Sequence, residues 1–385
     1  MGTKVLLGFS GGVDSSIAAY LLKRQGYDVT CCFMRNWDSI ANNDLLGNKS
    51  LSGPKCAQEI DYDYAVESAK ILGLPLIRKD FIQEYWDEVF KDFIKGISRG
   101  YTPNPDAFCN RYVKFGDFLE YARSLGFDTI AMGHYAKRVE TAAGAVLYQP
   151  EDLKKDQTYF LAMITREQLS ATLFPLEAIT KDEVRDLAEK LGLPNARKHG
   201  STGVCFIGER NFKPFLENYV RPSKGDIVDA ASGRVLGQHD GIFFYTIGQH
   251  KGLGIGGVEG YESEPFFVVG KDVRRNILYV AQESGNDIRF STSCVLADSN
   301  WLSPYPFAPG MRAGVKLRYR AKTIPVTIDS FTPGGECHLT FPIPVAYIAP
   351  GQIACLYDEN GMVLGGGPVV KSFAPDGAER FPLED

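Results

Sequence analysis

No run in the chain approaches eighteen apolar residues, which excludes a membrane-spanning helix of ordinary length. There is no Cys-x-x-Cys pair and the five histidines do not fall at ligand spacing, so no metal site is expected. Charge of one sign is missing too. Forty-two Lys and Arg stand against 47 Asp and Glu, formally −5, which gives no global attraction for nucleic acid. A polyanionic partner would have to be held by a local patch. The first strand begins almost at Met1, leaving no room for a secretory signal. Leu6 stands where a myristoylation signal after Gly2 reserves Ser or Thr. Eight scattered cysteines without a signal sequence suit a reducing compartment, and the expected location is the cytoplasm. The most informative absence is a lysine. GFSGGVDSS, Gly8 to Ser16, has the glycines of a phosphate loop but not the Gly-Lys-Ser/Thr ending of the common one.

What is present is enough hydrophobic residue, 44% of 385, to bury more than one core. Up to about residue 210 short apolar runs alternate with helical patterns. Val5–Phe9, Val29–Met34, Leu76–Arg78 and Thr129–Met132 read as strands, and Ser15–Arg24 as the first helix. Gly73 closes a second helix, and Thr180 with Glu183 makes a capping box for a later one. This alternation predicts an α/β fold, a doubly wound parallel sheet over residues 1–210. The polar stretch Ser39–Lys55 reads as a long surface loop over the sheet's ligand edge. After residue 210 short strands with Gly and Pro turns dominate. They predict a small β-rich domain over 211–285 and a β-barrel over 286–385.

Two cysteines stand in chemically active surroundings. TPNPDAFCNRYVKFG (Thr102–Gly116) places Cys109 at or near a helix start, with Arg111 and Lys114 close by, and both effects favour thiolate. Asp106 lies three residues earlier, within reach for proton transfer. HGSTGVCFIGER (His199–Arg210) places Cys205 after a flexible Ser-Thr-Gly-Val stretch. Taken singly, either could be a small buried hydrophobe. Nothing reactive surrounds Cys31, Cys32, Cys56, Cys294, Cys337 or Cys355, which read as inert.

SGGVDS, NPDAFCNRYVKFG and STGVCFIGER, in this order, resemble the tRNA-specific 2-thiouridylases, and the similarity runs over essentially the whole chain. SGGVDS alone resembles the PP-loop that cleaves ATP between the α- and β-phosphates. The resemblance implies 2-thiolation of the wobble uridine in tRNAs for lysine, glutamate and glutamine. Adenylation of O2 would turn a poor leaving group into AMP. It implies Cys109 as nucleophile, Cys205 as persulfide carrier, a Cys109–Cys205 disulfide after turnover, and Asp106 as acid or base. ATP, with Mg²⁺, would be held by Gly8, Phe9, Ser10, Gly11, Gly12, Val13, Asp14, Ser15, Met34 and Gly133. Asn104, Pro105 and Asp106 would meet the target base. His134, Lys155, Asp156, Gln157, Arg318, Tyr319 and Gln352 would contact tRNA. The implied partners are tRNA and a persulfide relay fed by a cysteine desulfurase, with no membrane.

One feature of the C-terminal part needs no family. In GVKLRYRAK, strand alternation puts Val315, Leu317, Tyr319 and Ala321 on one face and Lys316, Arg318, Arg320 and Lys322 on the other. Four cations without an acid would make a stripe for a phosphate backbone. Two other functions stay open: an AMP-forming PP-loop ligase or amidating enzyme acting on a small molecule, and an RNA-binding protein without catalysis. Asp106, Cys109 and Cys205 could also hold an iron–sulfur cluster, a route less favoured than the persulfide.

Overall fold

The computed structural model describes residues 2–46, 48, 55–198, 207, 211–284, 287–306 and 308–382. Strands β1 (Lys4–Gly8), β2 (Asp28–Arg35), β3 (Leu76–Asp80), β4 (Thr129–Ala131) and a short strand Thr172–Leu173 form a fully parallel sheet. Val5, Leu6 and Leu7 are all fully buried, as a strand covered on both faces requires. The chain runs outward from β1 through β2 to β3, then returns to place β4 on the other side of β1. That reversal opens a crevice at the carboxyl ends of β1 and β4, the usual ligand position in such sheets.

Helix α1 (Val13–Arg24) follows β1 directly, and α2 (Ala57–Leu72) ends on Gly73 in the left-handed region at φ 61°. Helix Lys181–Lys190 begins with the expected Thr180–Glu183 capping box and packs its Val184 and Ala188 into the core that α1 lines. The segment carrying Cys109 is one continuous helical rod. It starts at Pro105, widens into π-helical turns over Asn110–Asp117 and runs on through Phe118–Ser124. Proline is tolerated at its first position because an N–H there would have no partner in the helix.

The middle of the chain forms a four-stranded sheet of Gly225–Asp229, Val235–His239, Phe266–Asp272 and Ile277–Gln282. Beyond it, Phe290–Leu296, Cys337–Ala346, Ile324–Phe331, Met311–Lys316, Ile353–Tyr357 and Val363–Phe373 pair antiparallel in that spatial order. The last pairs back with the first, so six strands close a barrel, as expected. Leu296, Val315, Ile328, Leu339 and Leu356 fill it and are fully buried. Closure leaves no open sheet edge among these six strands.

The loop after β2 differs from expectation. Asp44 is fully buried and accepts from the Trp37 indole at 3.1 Å, while Leu46 N donates to Asn218 Oδ1 at 2.9 Å. The first half of Ser39–Lys55 is therefore pinned to the chain after helix Phe212–Glu217. Residues 47 and 49–54 lie outside the described residues. Among the described residues no helix is long and apolar enough to cross a membrane.

Candidate active site

The loop after β1 is tightly packed at its glycines, and Gly11 admits no side chain. A Cβ on Gly8 would lie 2.9 Å from Met34 Cε and 2.7 Å from Met132 Sδ. Gly11 has φ +73°, and a Cβ there would be 2.0 Å from the Asp61 carbonyl. A Cβ on Gly133 would come within 3.1 Å of Ser15 N. Gly8 and Met34 thus lie against one another, and Gly133 lies against the start of α1. Ser10 Oγ accepts from Gly12 N at 3.3 Å, and Ser15 Oγ donates to the Gly12 carbonyl at 2.9 Å. These bonds hold the loop with the first amides of a three-turn helix facing the crevice, a fit for an anion.

The lysine that the loop lacks arrives from elsewhere. Lys181 Nζ lies 2.6 Å from Asp14 Oδ1 with its side chain 8% exposed, and the Tyr135 hydroxyl donates to the same oxygen at 2.9 Å. Burial first, then Asp14, keeps that hydroxyl protonated. Asn195 Nδ2 donates to the Gly11 carbonyl at 3.0 Å and to Ser16 Oγ at 2.9 Å. Sequence reasoning missed Lys181, Tyr135 and Asn195. The capping box marked where Lys181 sits on its own helix, but no local signal pairs it with Asp14, 167 residues earlier.

Cys109 is the fifth residue of its helix, near the helix start, and is fully buried. The Arg111 guanidinium donates to the Met163 carbonyl at 3.2 Å. Asn104 caps the helix, accepting from Ala107 N at 3.2 Å, and hydrogen-bonds the Tyr159 hydroxyl. Thr102 and Pro103 are gripped by the barrel. Gln352 Nε2 donates to the Thr102 carbonyl at 2.7 Å, Thr102 N donates to the Pro350 carbonyl at 2.8 Å, and a Cβ on Gly351 would be 2.8 Å from Thr102 C. A pocket of about 200 Å³ opens beside this segment, lined by Thr102, Pro103, Pro105, Phe93, Phe212 and Tyr245 among others. Cys205 lies outside the described residues. Ile207, two residues on, is 2% exposed and belongs to the same apolar core as Cys109. Burial pushes the thiols of Cys31, Cys32, Cys337 and Cys355 up to about 12, which keeps them protonated and inert.

The residues expected to meet tRNA are placed unevenly. Asp156 is 3% exposed and accepts from Lys316 Nζ at 2.6 Å, Gln149 Nε2 at 2.7 Å and Thr158 N at 2.9 Å, so it is turned inward, with half-buried Lys155 beside it. Gln157 Oε1 accepts from Tyr135 N at 2.9 Å. Burial, with a smaller push from Lys114, brings the His134 imidazole down to about 3, so it is neutral at ordinary pH. Its ring lies 5.5 Å from Phe115. Tyr319 packs on Phe160 at 4.4 Å and on Tyr159 at 6.2 Å, next to Asn104 and Gln352. The four-cation stripe does not form. The strand ends at Lys316, the chain turns, and Arg320 takes φ +64°, which destroys the alternation. Lys316 is spent on Asp156, and Arg318 donates to the carbonyls of Ile247 at 2.6 Å and Tyr347 at 3.1 Å. Arg320 and Lys322 stay exposed.

Comparison with known proteins decides the family. The tRNA methyl transferase HUP domain model matches residues 3–209, its PRC-barrel domain model 213–282, and the aminomethyltransferase beta-barrel domain model 291–369. The tRNA-specific 2-thiouridylase MnmA of Mycoplasma capricolum is 47% identical over 379 residues, 96% of this chain and 99% of that protein. The chain belongs to the tRNA-specific 2-thiouridylase family. Other relatives of that name are those of Mesoplasma florum (46% identity, 95% of this chain and 98% of that one) and Geobacillus kaustophilus (46%, 94% of each). A 2-thiouridylase must bring a nucleotide and an RNA base to one place. In this chain Gly133 packs on Ser15, and the neighbouring His134 ring packs on Phe115 of the Cys109 rod.

Proposed function

We propose that this protein carries out ATP-dependent 2-thiolation of the wobble uridine in tRNAs for lysine, glutamate and glutamine, forming AMP and pyrophosphate. The observation that carries the proposal is the contact chain Ser15–Gly133–His134–Phe115, which sets the phosphate cradle against the rod bearing Asn104, Asp106 and Cys109. Gly8 to Ser15, with Met34 and Gly133, form the site for ATP with Mg²⁺, and the chemistry supplied there is transfer of AMP to the uridine O2. The amides at the start of α1 hold the phosphates. Lys181, fixed on Asp14, adds the positive charge that the loop itself lacks. Asn104 and Pro105 face the base, with Tyr159, Tyr319 and Gln352 behind them, and Asp106 moves the proton. His134, Lys155, Gln157, Arg318 and Tyr319 belong to the tRNA side, Arg318 through the loops it ties together.

Cys205 carries the sulfur as a persulfide, supplied by a relay from a cysteine desulfurase. Its terminal sulfur bonds to C2 as AMP leaves with O2. The Cys109 thiolate takes the inner sulfur, the persulfide S–S bond breaks, and a Cys109–Cys205 disulfide remains for an external thiol to reduce. We place the catalytic domain at 1–210, the small domain at 211–285 and the barrel at 286–385. The boundaries are supported by the way the sheets separate along the chain.

The test is a single-turnover assay with anaerobic protein, unmodified glutamate tRNA, ATP and a persulfide source, read as a mobility shift on a mercury gel. Sulfur incorporation lost in Cys109→Ser and in Cys205→Ser, and kept after chelation, is expected. Incorporation only with iron present would replace the persulfide by a cluster on Asp106, Cys109 and Cys205. AMP formed on a small molecule without thiolation would overturn the RNA substrate.

A further inference from the structure

We propose that the cleft between strands Phe266–Asp272 and Ile277–Gln282 and the C-terminal segment Glu379–Pro382 is a binding site for a phosphate-class oxyanion, with Lys271 at its centre. The cleft is about 390 Å³ and is lined by Lys271, Arg275, Tyr279, Arg380 and Phe381, with Asp272 and Glu379 at its side. Lys271 is 3% exposed, and among the described residues its ammonium has no hydrogen-bond or ion-pair partner. A buried, unpaired cation is costly unless something anionic joins it. Burial alone brings the amine down to about 7, so it stands ready to take up a proton when an anion arrives.

The two acids do not occupy this role. Asp272 accepts from Arg275 N at 2.8 Å and Arg275 Nε at 2.6 Å, and Glu379 lies 3.7 Å from Lys371. The other cations are positioned by neighbours. Arg275 also donates to the Tyr279 hydroxyl at 2.9 Å, and Arg380 donates to the Phe290 carbonyl at 3.0 Å and the Asp287 carbonyl at 3.1 Å. The cleft is built, not incidental. Phe381 adopts φ 40°, its ring packs flat enough on Gly270 that a Cβ there would be 2.1 Å away, and it lies 5.2 Å from the Tyr279 ring. The C-terminal segment Glu379–Pro382 forms one wall.

Sulfate tests the site, because its charge does not change over the pH range of interest. In isothermal titration of the whole protein, sulfate should bind most tightly at pH 6.5 and about tenfold more weakly at pH 8.5, as Lys271 loses its proton. Near pH 8 binding should take up protons, seen as a dependence on the buffer's ionisation enthalpy. Lys271→Met should weaken binding about tenfold or more and remove the proton uptake. Arg275→Gln, at a side chain 66% exposed and so safe for the fold, should weaken it several-fold. Equal affinity in wild type and Lys271→Met, or no binding in the wild type, would overturn the proposal. Competition between sulfate and unmodified tRNA that disappears in Lys271→Met would assign the oxyanion to an RNA phosphate. Absence of competition would assign it to a free phosphate-bearing molecule.

Discussion

Two lysine–aspartate pairs in this protein have the same length, 2.6 Å, and opposite surroundings. In Lys316–Asp156 the acid is 3% exposed and receives further donors from Gln149 and Thr158. In Lys181–Asp14 it is the lysine that is buried, at 8%, while the acid is 34% exposed and opens on the crevice at the end of β1. A sealed pair is a fastening: removing one partner strands a charge where water cannot reach it. A pair open on one side can exchange its partner for a ligand. One geometry therefore serves as a joint between the catalytic sheet and the barrel, and again as a reserve of charge at the phosphate loop.

The largest effect expected is on the joint. Asp156→Ala should cost about 3–5 kcal/mol in denaturant unfolding, and the charge-free Asp156→Asn/Lys316→Met pair should recover at least half of it. A single-variant loss below about 1 kcal/mol would erase the distinction between the pairs. Lys181→Met should do the reverse. Stability should change by less than about 1 kcal/mol, since Asp14 turns to water, while single-turnover AMP formation drops about 100-fold. Equal losses of stability and rate would make Lys181 a fastening too. Gln352→Leu strips a donor from the Thr102 carbonyl. It should cost about 1–2 kcal/mol and raise KM for tRNA, leaving ATP affinity unchanged by equilibrium dialysis.

The smallest effect concerns an acid with no cation at all. Asp117 is raised from 3.8 to about 7, first by burial and then by Glu88, Glu84 and Glu120. The folded state holds that proton where the unfolded chain has released it, so stability falls as pH rises from about 4 to 7 and the cost is complete above that. Asp117→Asn should add about 1 kcal/mol at pH 8, solvent screening having reduced the full amount, and almost nothing at pH 4. A thermal-melt series across that range reads the slope directly.

Local rules made much of this legible. A glycine turn after an apolar strand, Gly73 as a helix stop and Thr180–Glu183 as a helix start are decided by residues a few positions apart, and each is where the pattern put it. The closed barrel followed from the spacing of short strands. The cation stripe failed because alternation presumes that a strand continues, and nothing near Arg320 warns of a left-handed turn there. The full burial of Cys109 could not be read from its sequence neighbours, because it depends on what the helix packs against. Lys181 with Asp14 and Gln352 with Thr102 could not be read at all, since each pair joins residues more than 160 positions apart.

Gly351 touching Thr102 at the backbone also orders events in time. A ribosome makes the glycine loop before the Cys109 rod. The loop that grips Thr102 emerges some 250 residues later. A nascent or prematurely ended chain thus carries the glycine loop without the clamp that fixes the segment before Asn104. The segment before Asn104 therefore takes its clamped position only once the barrel loop Pro350–Gln352 is present.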